Sequence, residues 1–197
     1  LYLRRGDETR SWLVRGTVAV PEEPLDWIDR SIADIDADSV IRIALEPAAG
    51  VAVVALREAE KEGLRVQTVP EGHRVADQRR VDAIAGALQV LDFSEARKAT
   101  APPPDATPAG IATITTRDGL TLRLDLLTAG DGVWAGVGAV ADPIAGTTPA
   151  DGEGAVARAA TIGRRTDGWL YRLPAYAAEL LTTTLEGLIE PLPADGT

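Results

Sequence analysis

Among the residues that could do chemistry, Asp34-Ile35-Asp36-Ala37-Asp38-Ser39 comes first, since its three alternating carboxylates have the spacing that begins a calcium loop. Such a loop needs Gly at its sixth place and a bidentate Glu at its twelfth. Ser39 and Leu45 stand there instead, so the segment reads as a solvated turn feeding a strand. Gly136-Val137-Gly138-Ala139-Val140-Ala141 matches a dinucleotide fingerprint as letters. That fingerprint requires a strand ending at its first glycine and a helix opening soon after, so that pyrophosphate meets the helix N-terminus. Here alternation runs on through the glycines to Pro143, as in a strand built of small residues. His73 is the only histidine and sits in a Gly-containing turn without a serine nucleophile or a zinc ligand set around it. The 30 acidic residues guarantee some close carboxylate pair, which is all a glycosidase strictly needs, but an acidic surface makes such pairs for solubility alone. No catalytic, metal or cofactor-binding residue follows, and the chain reads as a non-enzyme that needs no cofactor.

The aromatic residues are more informative because they are scarce: Trp 4, Tyr 3, Phe 1. In Asp167–Leu181, Gly168 permits a turn, Trp169 and Tyr171 alternate as in an extended segment, and Pro174 suits the first turn of a helix. Two readings are open. The rings of Trp169 and Tyr171 clasp the C-terminal helix to a sheet, which is the preferred reading in a chain so poor in aromatics. Alternatively Trp169, Tyr171, Tyr176 and Trp27 form an interaction surface, since Trp and Tyr are favoured at binding hot spots.

These residues must be positioned by a chain of 197 residues, long enough for a substantial core. The opening residues predict two short strands around Gly6-Asp7, then a short helix from Pro24 with Leu25, Ile28 and Ile32 on one stripe. Three β-type runs follow: Ile41, Ile43 and Leu45 alternating; Val51 to Leu56; and Leu64 with Val66. They hand over to a helix over 77–92, N-capped by Asp77, with Val81, Ile84, Leu88 and Leu91 inward. Residues 99–109, with three consecutive prolines, make an extended connection. Beyond it the order repeats: a strand ending at Thr116, a turn at Asp118-Gly119, Leu120, Leu122, Leu124 and Leu126 on one face, a turn at Gly130 to Gly132, and a third strand. Helical stretches near 155–162 and from Pro174 close the chain. The expected fold is α+β, with repeated antiparallel three-strand meanders, each followed by a covering helix. Its segments are 1–38 (the tail of a truncated β-β-α unit), 39–98, the connection 99–109, and 110–197. A chain opening at Leu1 inside a strand is expected to pack against upstream residues of its own.

Composition narrows the partners. The net charge of −10 leaves no basic face, which argues against nucleic acid and anionic lipid surfaces. There is no cysteine, hence no disulfide, and no apolar run of about 20 residues to span a bilayer.

Taken in order, Ser11–Gly16, Pro24–Ile35, Asp38–Ile43, Thr115–Leu126 with Gly132–Ala139, and Gly168–Glu190 resemble the bacterial family called domain of unknown function 4340. Asp26-Trp27-Ile28-Asp29-Arg30, Asp118-Gly119-Leu120, and Trp169, Tyr171, Leu173 and Pro174 are its most specific pieces. The resemblance implies an extracytoplasmic, periplasmic domain held to the inner membrane by an N-terminal segment. It also implies association with ABC-type transporter components of the gliding-motility kind, and supplies no catalytic residues. The expectation is therefore a non-catalytic accessory or interaction module with a protein partner in a membrane-associated complex. A small-ligand module with a pocket between the units, or a carboxylate-based glycan hydrolase, are the alternatives.

Overall fold

The structure, a computed structural model, describes residues 1–17, 19–58, 62–130, 132–142 and 154–192. Asp131 and Pro143, and the side chains of Pro24 and Leu25, therefore lie outside the described residues. The first strands are β1 (Tyr2–Leu3), β2 (Trp12–Leu13), β3 (Ser31–Ala33), β4 (Val40–Pro47), β5 (Val53–Leu56), β6 (Arg65–Val66) and β7 (His73–Val75). Helix α1 (Gln78–Gly86) is followed by β8 (Leu91–Asp92), β9 (Glu95–Lys98), β10 (Thr107–Thr116), β11 (Leu120–Ala129) and β12 (Gly132–Ala141). Helix α2 (Ala155–Thr166), β13 (Trp169–Arg172), α3 (Ala175–Leu181) and β14 (Ile189–Pro191) complete the chain. No helix among these residues is long and apolar enough to cross a membrane.

The fold is α+β, and the strand pairs are antiparallel. Short turns dictate this, because parallel neighbours need crossovers of a dozen or more residues. Both expected meanders form, β4-β5-β6 and β10-β11-β12. They do not stand apart, because β4 pairs with β10, and one eight-stranded sheet runs β6-β5-β4-β10-β11-β12-β13-β9. Its covered face carries Val53 and Ala55, Ile43 and Leu45, Ala112 and Ile114, Leu120 to Leu126 at alternate positions, Ala135, Val137 and Tyr171. The two meanders differ in what lies over them: α2 packs on β11 and β12, whereas α1 packs against α3 and the turn at Ala37–Ser39.

Two helices are shorter than their apolar spacing predicts. Asp77 does cap α1, accepting the Arg79 N–H, but the helix stops at Gly86. Leu88 and Leu91 are buried all the same, Leu91 from strand β8 paired with β3. Similarly, the segment from Pro24 makes a single 3-10 turn, Pro24–Trp27. The Asp29 carboxylate then accepts the Ser31 N–H at 3.0 Å and turns the chain into β3, so Ile32 reaches the core from a strand.

The proline-rich stretch has a geometric task. From β9 at the sheet edge to β10, the chain must pass β13, β12 and β11. That is about 19 Å at ~4.8 Å per strand, while the nine Cα–Cα steps from Lys98 to Thr107 could reach roughly 30 Å. The expected extended connection therefore has slack and takes turns instead, closed by Ala101 N–H to Lys98 O and Ala106 N–H to Pro103 O. On the way Pro103 is buried, and Ala106 packs with Leu127, Ala129, Trp134 and Leu170 in a second small apolar cluster.

Candidate functional site

The motifs that the sequence offers for chemistry, and whose spacing reads as turns and a strand, have these places in the fold. Asp36 caps the 3-10 turn Ala37–Ser39, and Asp38 lies 3.6 Å from Arg57. Gly136 and Gly138 are mid-strand in β12, facing Asp125 and Arg123 of β11. His73 is exposed in β7 opposite Pro191. Among the described residues no three His, Cys, Asp or Glu side chains gather where a metal ion could sit.

A cleft of about 290 Å³ lies instead at the β9 end of the sheet, lined chiefly by Ile28, Ile32, Phe93, Ala96, Trp169 and Tyr171. Four elements converge there. The turn at Asp29 swings Ile28 outward while β3 carries Ser31 and Ile32 beneath it. Alternation in β13 puts Trp169 and Tyr171 on the same side, and β9 adds Ala96 beside Tyr171. The last turn of α2 brings Arg165 and Thr166; basic residues are favourable at that helix end.

The side chains of Asp29, Arg165, Thr166 and Tyr171 around the cleft are engaged. Arg165 Nη2 donates to Asp29 Oδ2 at 2.6 Å across the mouth. The Ser31 N–H holds the Asp29 carboxyl below the usual carboxylate range, against desolvation and with help from Arg165. The Tyr171 hydroxyl donates to the Arg165 carbonyl at 2.7 Å, and burial pushes its pKa up against the pull of the Arg165 charge. Its ring sits 4.8 Å from that of Phe93. The Thr166 hydroxyl is directed at the carbonyls of Val137 and Ile162. What remains presented to solvent is apolar surface, a shape suited to receiving an apolar group.

The two rings of Asp167–Leu181 divide between the readings open in the sequence. Tyr171 is core, at 6% exposure. Trp169 is at the rim, at 39%, with Lys98 Nζ 5.9 Å over its ring. Trp27, at 63% exposure, hangs outside the cleft with its indole N–H donated to the Pro21 carbonyl. Tyr176, at 49%, lies in the first turn of α3 and donates to the Val90 carbonyl at 2.7 Å. Sequence reasoning missed Ile32, Phe93, Ala96 and Arg165 as cleft residues. Phe93 carried a signal as the only phenylalanine, whereas Arg164-Arg165 reads as an ordinary basic helix end.

A family model described as Domain of unknown function (DUF4340) matches residues 1–131. This chain belongs to that family. The matched residues hold one wall of this chain's cleft, Ile28 to Ala96, while Arg165 to Tyr171 follow the matched stretch. No curated protein and no solved structure matches the chain.

Proposed function

We propose that this DUF4340 chain is a non-catalytic interaction module that works outside the cytoplasm, as an accessory to an ABC-type membrane complex, and that the Trp169 cleft is where it touches its partner. The observation that carries the reading is the cleft itself: Ile28 and Trp169 present apolar surface to solvent, and the Asp29, Arg165 and Tyr171 side chains beside them are already bonded to one another or to backbone. Exposed Trp at the rim of a preformed hollow is the kind of anchor that dominates protein interfaces. The extracytoplasmic location and the transporter context come from the family resemblance.

The hydrolase alternative needs a carboxylic acid with a raised pKa. Among the described residues the carboxyl groups displaced from their ordinary range, Asp29, Asp77, Asp118 and Glu186, are displaced downward, which favours the reading of these groups as structural. The test is photo-crosslinking in cells from a photoreactive residue placed at Trp27, beside the cleft, in the full-length protein. Crosslinks to transporter subunits that vanish with Trp169→Ala are expected. Crosslinks unaffected by that change, or none to a membrane complex, would overturn the proposal.

A further inference from the structure

The cleft lies beside an unfinished sheet edge. Ala99 N–H donates to Gly168 O, which makes 97/170 and 95/172 the hydrogen-bonded pairs of the β9–β13 ladder. Ala96 and Lys98 therefore turn their backbone N–H groups away from β13, toward the side where β9 has no neighbouring strand among the described residues; the Lys98 carbonyl on that side is taken by the Ala101 N–H. The same edge is occupied a little earlier in the chain: β3 pairs with β8, and Phe93 N–H donates to Arg30 O. Beyond Arg30 the protein leaves this line at the Asp29 turn. Ser94 and Glu95 mark the change, because Ser94 N–H turns the other way, to Arg172 O. A strand-shaped slot is left along Ala96–Lys98, continuing the line of β3, and the apolar cleft opens beside it.

We propose that this slot binds an extended peptide segment of the partner by strand addition to β9, with one large apolar side chain of that segment seated between Ile28, Phe93 and Trp169. The inference rests on the cleft being the partner contact and adds what the partner presents there. The edge offers the N–H and C=O of Ala96 and the N–H of Lys98, spaced as an extended chain satisfies them in register. The volume agrees, since about 290 Å³ falls just below the roughly 300–1,000 Å³ of small-molecule sites and accommodates one side chain. Charge selects the neighbouring residue. Lys98 rests on the Trp169 ring and pairs with no carboxylate among the described residues, so an acidic residue beside the apolar one is favoured.

The test titrates the isotope-labelled protein with the synthetic peptide Thr-Glu-Thr-Phe-Thr-Glu-Thr and follows amide exchange and chemical shifts. Saturable binding with new protection of the Ala96 and Lys98 amides is expected. Replacing the peptide's Phe by Ala, or N-methylating its central amides, should each weaken binding at least tenfold. Ala96→Pro, which deletes one edge donor and is tolerated at a sheet edge, should do the same. If that variant fails to fold, the amide protection in the unmodified protein decides. Binding that needs the Phe and Trp169 but ignores N-methylation would overturn strand addition while leaving the cleft as a contact. No binding at millimolar peptide would overturn the inference alone, because crosslinking from Trp27 judges the cleft's role separately.

Discussion

Arg158 of α2 reaches down to Asp118 in the β10–β11 turn, Nη2 to Oδ2 at 2.6 Å, with the two side chains only 12% and 11% exposed. The turn is set locally first: the Thr116 hydroxyl accepts the Leu120 N–H and donates to the Asp118 carboxylate. Gly119, at φ +89°, completes it. The ion pair then fastens the covering helix to the middle of the sheet.

Asp118→Asn should cost about 1 to 3 kcal/mol in chemical denaturation near neutral pH, since it removes one charged, largely enclosed partner of the Arg158 guanidinium. The effect is pH-dependent with a definite sign. Burial alone raises the Asp118 pKa, but the Thr116 hydrogen bond and the Arg158 charge outweigh it and leave the folded-state value below 3.8. The stabilisation is therefore present above about pH 4, where the unfolded chain's aspartates are ionised. It fades as the pH falls through the folded-state value, so wild type and variant should converge in acid. A gap that widens on acidification would contradict the assignment.

Tyr171 and Trp169 should respond differently although they are two residues apart. Tyr171→Ala empties a site in the core and should cost about 3 to 5 kcal/mol. Tyr171→Phe removes only the bond to the Arg165 carbonyl, about 1 kcal/mol. Trp169→Ala, at the rim, should cost about 1 kcal/mol or less in the same denaturation experiment. Equal losses for the two alanine variants would return Trp169 to the core.

Gly110 sits where β10 bulges against β11, opposite Pro47 of β4, at φ +148°. A Cβ there would stand 2.6 Å from the Glu46 carbonyl oxygen and 2.8 Å from Pro47 Cα, both backbone atoms that cannot swing aside. Gly110→Ala should destabilise by about 2 kcal/mol or more. Faster amide exchange in β4 should accompany the loss. Gly138→Ala, with nothing within 4 Å of the added atom, is the control and should change little.

The sheet was legible in the sequence where alternation is strong: Leu120, Leu122, Leu124 and Leu126 repeat at period two and do face the core. The Asp77 cap was legible for the same reason, a specific side chain beside an apolar stripe. Helix ends were not, because Leu88 and Leu91 are buried in both a long helix and a short helix followed by a strand, and burial is all that spacing encodes. The pairing of β4 with β10 was also hidden, since Gly110↔Pro47 to Thr116↔Val40 joins residues some 63 to 76 apart with no local signal. The cleft was half visible. Trp169 and the Trp27-Ile28-Asp29 stretch stood out, but the hollow exists because β3, paired with β8, stops short of β9, which is a matter of tertiary geometry.

The β4–β10 pairing bears on the division of the chain at residues 99–109. One apolar core contains Ile43, Val53 and Ile84 together with Leu122, Ala135 and Leu181. Segments sharing a core and a ladder lose both when either unfolds, so 39–98 and 110–197 are expected to unfold in a single transition. Far-ultraviolet circular dichroism and tryptophan fluorescence should give the same denaturation midpoint, with Trp134 reporting from β12. Cleavage at a protease site engineered into Ala101–Asp105 should leave the two fragments associated, since β9 would still be held by β13 and β4 by β10. Two separated midpoints, or fragments that part on gel filtration under native conditions, would show that the connection joins independent domains.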